Sequence, residues 1–474
     1  MYPGATDSKT STPLLGAAQP SLPPYATQIG TAQEPFPVYV KRRESLVRRR
    51  LLVLVLFGLA VLAGFCGQKL YRWHATGSHN FYRTDEYPSP PGVTLTDCSL
   101  AEWSETETAD PHSSLPYSDS VSLDVSLAPE TLLFFSQGAL SAGKLKVTTS
   151  PEISDIARLD IAVHYYHQYL RDKVKICFVE RNDGESGVGI FTPEHWQRRR
   201  GHYDRLSFDV VLTLPHGTSS LYLNRLETHI TNFSHDLDHL KDIIDFGEIL
   251  LKGSNGRITA KAISANSTSF TTSNGAVSAD YLVANSASVH TSNARISGTY
   301  EAVDSLNLRT TNGAVNVHAI LSGSDTTEAN KVTIRTSNSP LESTIDLGAP
   351  SSSGGSFVVE TITSNSRVAT HIASSPLDSV LTVDARTSNS RAEVALPVTY
   401  EGDVELYTSN SAVNILPSNS KKEDPAGKGR KRSVETRVVT KGRAAKGSVY
   451  WDRENMHRGK VVLRTSNGPA TISV

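Results

Sequence analysis

Three cysteines in 474 residues exclude a disulfide-dense scaffold and a four-thiolate zinc site. An excess of one charge is also missing. With 47 Lys and Arg against 48 Asp and Glu, no global field draws the chain to nucleic acid. Aromatics make up only 7% and apolar residues 38%, too little for a multi-span membrane protein. There is no phosphate-cradling glycine loop, no HExxH and no GxSxG elbow, which removes the usual nucleotide, zinc-peptidase and serine-hydrolase readings. What is plentiful is hydroxyl, with 58 Ser and 43 Thr. The second half is nevertheless too rich in Val, Ile and Leu to be wholly disordered.

Long hydrophobic runs are absent but for one, residues 51–67 (LLVLVLFGLAVLAGFCG). As a helix it spans ~25 Å, the short limit for a bilayer core. A buried core helix is the rival, but the run follows Arg48, Arg49 and Arg50 directly and has no amphipathic stripe. A cleaved signal peptide is disfavoured by the fifty residues ahead of it, so an uncleaved signal anchor is expected. Lys41, Arg42, Arg43 and Arg48 to Arg50 precede it, whereas only Lys69 and Arg72 follow closely. The positive-inside rule then puts the N-terminus in the cytosol and the chain after residue 67 in the lumen or outside, at the plasma membrane or in the secretory pathway. On that side lie two sequons, at Asn232 and Asn266, as expected of a glycoprotein. Cys98 and Cys177 would share an oxidising compartment there, either as a disulfide or as two buried thiols.

Residues 1–50 read as a disordered, proline-rich tail with a basic flank, and 68–119 as a stalk. From 120 to 250, short segments such as 159–165 (LDIAVHY) and 206–214 (LSFDVVLTL) alternate with period two and predict strands.

The repeat in residues 251–474 is the most informative feature. A Thr/Ser-Ser/Thr-Asn tripeptide recurs at Asn274, Asn293, Asn312, Asn338, Asn365, Asn389, Asn410 and Asn467, preceded by a shorter form at Asn255. The third residue after each Asn is apolar: Ile258, Val277, Ile296, Val315, Leu341, Val368, Ala392, Val413 and Ala470. Four residues before the later Asn the column is apolar too, and only Thr361 breaks it. Each unit predicts a strand, a corner with positive φ, and a second strand. One such unit cannot bury its apolar face, but stacked copies can, so an all-β repeat β-solenoid is expected, with the Asn column forming a ladder of amides. An antiparallel meander is the alternative. The longer spacings after Asn312 predict loops emerging from the stack.

The segment 206–215 (LSFDVVLTLP), then Leu221-Tyr222-Leu223, then Ser254-Asn255-Gly256-Arg257-Ile258 and the units at Asn274 and Asn312 resemble the adhesin-like β-solenoid domains of unknown function in bacterial and fungal surface proteins. The resemblance covers residues 120–474 and implies fold and surface placement, with no catalytic residues to carry over. The layout of tail, single span and ectodomain is similar to that of fungal-type single-pass membrane proteins. The long loops and the interrupted last repeat depart from the pattern.

Solenoid enzymes acting on polysaccharide need a pair of carboxylates or a carboxylate with a base, whereas the recurring columns here are Ser, Thr, Asn, Gly and aliphatics. The cluster His235, Asp236, Asp238, His239, Asp242 and Asp245 predicts a polar helix capping the first repeat; its weaker reading is a metal site at His235 and His239. A basic insertion, residues 420–447, carries ten basic residues against three acidic ones. It reads as a mobile loop, a processing site at Arg430-Lys431-Arg432, or a patch for anionic wall polymer or lipid head groups. The last repeat, 461–474, ends on an apolar strand and predicts an open edge through which two chains pair as a homodimer. These features together predict a non-enzymatic adhesive or structural protein without cofactor. Its partners would be the bilayer through one span and a cell-wall glycan or another surface protein, with no nucleic acid. The alternative is a carbohydrate-active solenoid enzyme.

Overall fold

The computed structural model describes residues 86–98, 103–105, 114–196, 204–323, 328–351, 353–416 and 422–474. The tail, the apolar run 51–67 and most of the stalk lie outside the described residues, among which no helix is long and apolar enough to cross a membrane. The fold is all-β, and the one described α-helix has four residues, Gln168–Arg171.

Two parallel sheets carry the structure. The first runs through Glu185–Phe191, Thr131–Gln137, Leu221–Ile230 and Ile244–Lys252. It continues through the second halves of Ile258–Thr271, Val277–His290 and Ile296–Arg309. Asn330–Arg335, Ser356–Ile362, Val380–Arg386, Gly459–Arg464 and Gly402–Tyr407 complete it. The second runs through Ser207–Pro215, Gly143–Ser150, Phe233–His239 and the first halves of those three long strands. Val315–Leu321, Leu341–Leu347, Val368–Ser374, Ala392–Ala395, Ala470–Ser473 and Val413–Leu416 follow. One strand from each sheet makes a rung, and successive rungs pair in parallel, which excludes the meander. The stacking also reaches upstream of residue 251 into the region 120–250.

Period-two alternation explains why these segments form rungs. Val277, Ala279 and Leu282 point into the interior while Ser278, Asp280 and Tyr281 do not, and the neighbouring rungs repeat the pattern. Each large aliphatic so buried contributes ~1.5–3 kcal/mol. Thr361, which breaks the apolar column, is fully buried, and its hydroxyl accepts from Thr370 Oγ1 at 2.9 Å, so its polarity is satisfied inside.

Both ends of the stack switch to antiparallel pairing. At the amino-terminal end, Lys175–Glu180 pairs with Glu185–Phe191, and Ile156–Tyr165 joins Ser207–Pro215 to Tyr117–Ser126. At the other end, Ala444–Tyr450 and Ser433–Val439 form a hairpin that extends the first sheet beyond Gly402–Tyr407. Part of the expected mobile loop is therefore a hairpin, Ser433–Val439 pairing with Ala444–Tyr450 around the turn at Thr440–Gly442, with Val434 opposite the buried Val449.

The carboxyl-terminal repeat is not the last rung. Gly459–Arg464 lies between Val380–Arg386 and Gly402–Tyr407, and Ala470–Ser473 lies between Ala392–Ala395 and Val413–Leu416. Ile472 and Val474 are buried, so the open edge expected at residues 461–474 is not there. Both edges of this rung already have neighbours, which leaves no unpaired backbone to present.

Candidate functional site

The corners of the rungs at Asn274, Asn293, Asn312, Asn338, Asn365, Asn389, Asn410 and Asn467 are built alike. The Thr before each turns inward and its hydroxyl donates to a carbonyl of the preceding rung, as Thr310 Oγ1 does to Ala294 O at 3.1 Å. The Asn turns outward, and its Nδ2 donates to Oδ1 of the Asn below. The distances are 2.7 Å from Asn274 to Asn255, from Asn293 to Asn274 and from Asn312 to Asn293. Asn338, Asn365 and Asn389 continue the ladder at 2.6–2.7 Å. It then passes to Asn467 and only afterwards to Asn410, each at 2.8 Å, following space rather than sequence.

The expected positive φ at the corner is corrected by the backbone. The described non-glycine residues with positive φ are Asp97, Asp155, Asp242, Asp378 and Lys441, none of them a ladder Asn. Inter-rung bonds hold the corner instead: Asn274 N donates to Ser254 O at 2.7 Å and Asn293 N to Ser273 O at 2.8 Å.

The ladder starts one rung earlier than the sequence repeat. Asn255 Nδ2 donates to Asn232 Oδ1 at 2.6 Å, and Asn232 Nδ2 donates to Ser141 O at 3.2 Å. One sequon asparagine is thus a ladder member, whereas Asn266, in the middle of Ile258–Thr271, is exposed. Asn232 escaped the repeat because the third residue after it is His235, which pairs with Ile258 and fills the apolar column with an imidazole.

His235 and His239 do not lie on a helix. Phe233–His239 and Ile244–Lys252 are strands, since Phe233, His235 and Leu237 alternate inward with Ser234 and Asp236. His235 is 1% exposed, and its Nε2 lies 2.7 Å from Thr228 Oγ1. Burial pushes this imidazole down to about 3, so it is neutral in the fold. His239 is exposed at the strand end. Among the described residues no group of three or more His, Cys, Asp or Glu is placed to hold a metal ion.

Cys98 and Cys177 form a disulfide, which ties the segment around Thr94–Thr96 to Lys175–Glu180, its antiparallel partner. Cys177 belongs to a second, smaller core with Leu133, Phe135, Val179 and Phe191, on which Tyr87, Val93 and Leu95 pack. Beside it the buried Glu227 accepts from Arg181 at 2.6 and 2.9 Å and lies 2.6 Å from the His229 imidazole. Burial pushes its carboxyl up, but these partners prevail and hold it at about 2, which makes it a structural anion.

Two further surfaces deserve description. A shallow groove on the outer face of the second sheet is lined by Glu342, Thr344, His371, Glu393, Thr471 and Ser473. Its carboxylates Glu342 and Glu393 stand two rungs apart and are ion-paired with Arg367 and Arg391. In the basic insertion, Arg430 is held by Asp424 at 2.9 Å, and Arg432 reaches Pro397 O at 3.2 Å. Two of the three residues of the expected processing site are thereby engaged by the fold.

Sequence reading missed Glu401. Its buried carboxylate accepts from Trp451 N at 2.7 Å, Asp452 N at 2.8 Å and Asn455 Nδ2 at 2.9 Å. It fastens the turn that sends the chain back into the stack, and nothing in its sequence surroundings marks it.

Comparison with known proteins adds little to this geometry. The profile of a domain of unknown function, DUF7330, matches residues 266–473. A crystal structure of a "putative cell adhesion protein" from Clostridium sporogenes is 12% identical, with 75% of this chain and 99% of that chain covered. Its TM-score of 0.16 carries no argument about fold or role. No curated protein matches the chain.

Proposed function

We propose that this chain is a non-enzymatic, single-pass membrane protein whose ectodomain is a β-solenoid serving as an adhesive or structural module at the cell surface or in the secretory pathway. The observation that supports this reading most is the amide ladder running from Asn232 to Asn410 across ten consecutive rungs. It fixes the corners in register, and the same corner is repeated regardless of the outer-face residues. Such a stack separates a constant interior from two variable outer faces, which suits display of binding surface. The apolar run 51–67 would anchor it, with residues 1–50 cytosolic and a glycan or another surface protein as partner.

The test is adhesion. Cells displaying the full chain should attach to immobilised glycans or to neighbouring cells more than cells lacking it, and a glycan array probed with the chain should identify the class bound. Depolymerisation of a polysaccharide by the chain, abolished by changing one carboxylate, would replace this reading with the carbohydrate-active one.

A further inference from the structure

The ladder is flanked by two columns of outward side chains, one just before and one just after each corner. Before it stand, in spatial order, His229, Lys252, Thr271, His290, Arg309, Arg335, Ile362, Arg386, Arg464 and Tyr407. After it come Arg257, Ala276, Arg295, Ala314, Pro340, Arg367, Arg391, Pro469 and Ala412. Neither column contains an acid. In a chain of net charge −1 this concentrates nine Lys and Arg along one edge of the stack.

The two ends of the edge differ. Towards the carboxyl-terminal end the arginines are neutralised: Arg335 by Glu360, Arg464 by Asp384, and Arg391 by Glu393. Between Asn255 and Asn312 they are not. Lys252, Arg257, Arg295 and Arg309 are all exposed, and none has an ion pair among the described residues. The next outward columns there are Ser269, Ser288 and Asn307 on one side and Thr259, Ser278 and Ser297 on the other. This stretch therefore joins four free cations, a line of amides and two flanking rows made of five hydroxyls and Asn307; the carboxylate that precedes Thr259 in its row, Asp236, is held by Lys144.

We propose that the corner ridge from Asn255 to Asn312 binds a linear anionic polysaccharide lengthwise. The cations meet its acidic groups, and the hydroxyls and amides beside them meet its sugar hydroxyls. The spacing supports a polymer rather than a compact anion. Arg257 and Arg295 are separated by Ala276, so their backbones stand two rungs or ~10 Å apart. Cations recurring at that interval along a straight ridge match acids recurring along a chain, as in an acidic disaccharide repeat. Sugar hydroxyls also explain why the rows between are Ser and Thr rather than further Lys, since a purely electrostatic surface gains nothing from them.

This inference rests on the adhesive reading and names its ligand class. The probes are polygalacturonate and heparin, with neutral dextran and duplex DNA as comparisons, bound to the full chain in ~0.15 M salt. A ridge variant carries Lys252→Gln, Arg257→Gln, Arg295→Gln and Arg309→Gln. A control of equal charge change carries Lys428→Gln, Arg437→Gln, Lys441→Gln and Arg443→Gln in the basic insertion. All eight side chains are exposed, so both variants should melt with the parent. The ridge variant should lose affinity for the acidic polymers by about tenfold or more while the control keeps it. Equal losses in both, loss only in the control, or DNA bound as tightly as polygalacturonate would overturn the proposal. The two readings fail separately. Cell adhesion that persists in the ridge variant sinks the ridge alone, whereas ridge-dependent binding without adhesion sinks the adhesive role alone.

Discussion

At the scale of single residues, polar groups do the work that the apolar columns cannot: they fix register. Asn293 donates one amide bond to Asn274 and accepts one from Asn312. Its backbone has no positive φ, so replacing it by Val costs the two bonds and no strain. At about 0.5–1.5 kcal/mol per bond, the loss should be ~1–3 kcal/mol, read as a lower urea midpoint at unchanged slope. An unchanged midpoint would mean that solvent replaces the ladder without cost. His235 gives a second residue-scale prediction. Burial lowers its pKa from 6.5 to about 3, so the unfolded chain takes up the proton first. Its contribution is intact above pH 6.5 and declines as pH falls towards 3, by at most about 1.4 kcal/mol per pH unit. Glu227 acts only lower, between 4.5 and about 2, again losing stability as pH falls. His235→Gln should therefore flatten the fall in stability between pH 7.5 and 5.5, and an equally steep fall in the variant would show that the imidazole is not its source.

At the scale of strands and rungs, the sequence displays the unit but not the order of assembly. The third residue after each Asn was readable as apolar, and those residues are all interior, as are the inward-facing Thr of the corners. The place of the rung 459–473 was not readable. Ala392, Ala470 and Val413 present interchangeable apolar edges, so periodicity does not say which pairs with which. The deciding contacts are specific: Glu401 gathers Trp451 N and Asp452 N, and Arg458 reaches Asp378 at 2.5 Å. The same limit hid the strand character of His235, whose helix-like i, i+4 relation to His239 was a coincidence of composition. An inserted rung predicts complementation. A chain ending at residue 458 should leave the edges of Val380–Arg386 and Gly402–Tyr407 facing an empty slot, and should melt lower and less cooperatively than the full chain. A peptide of residues 459–474 supplied in trans should bind and restore the melt, because it regains parallel partners on both sides. Failure of the peptide to bind a chain that keeps its strand signal would show that the insertion requires covalent continuity.

At the scale of the whole molecule, topology and modification constrain each other. An anchor at residues 51–67 with a cytosolic tail, as proposed, would expose both sequons to glycosylation, yet the fold treats them differently. Asn266 is exposed on a strand, with its amide free of the ladder. Asn232 is the ladder's first member, its Nδ2 donating to Ser141 O and its Oδ1 accepting from Asn255. A glycan on Asn232 would take the place of an amide hydrogen beside Ser141 and crowd the junction of the rung Thr131–Ser150 with the next. A chain carrying it would complete that rung at a cost, so the folded population should carry its glycan at Asn266. Asn266→Gln should accordingly abolish the glycosidase-sensitive mass shift, whereas Asn232→Gln should preserve the shift and lower the melting temperature through the lost amide bonds. In sealed vesicles the same shifted chain should lose only its amino-terminal tail to added protease. A tail protected from protease with the ectodomain digested, or a chain without any shift in a glycosylating cell, would reverse the orientation and remove the ridge from the extracellular side.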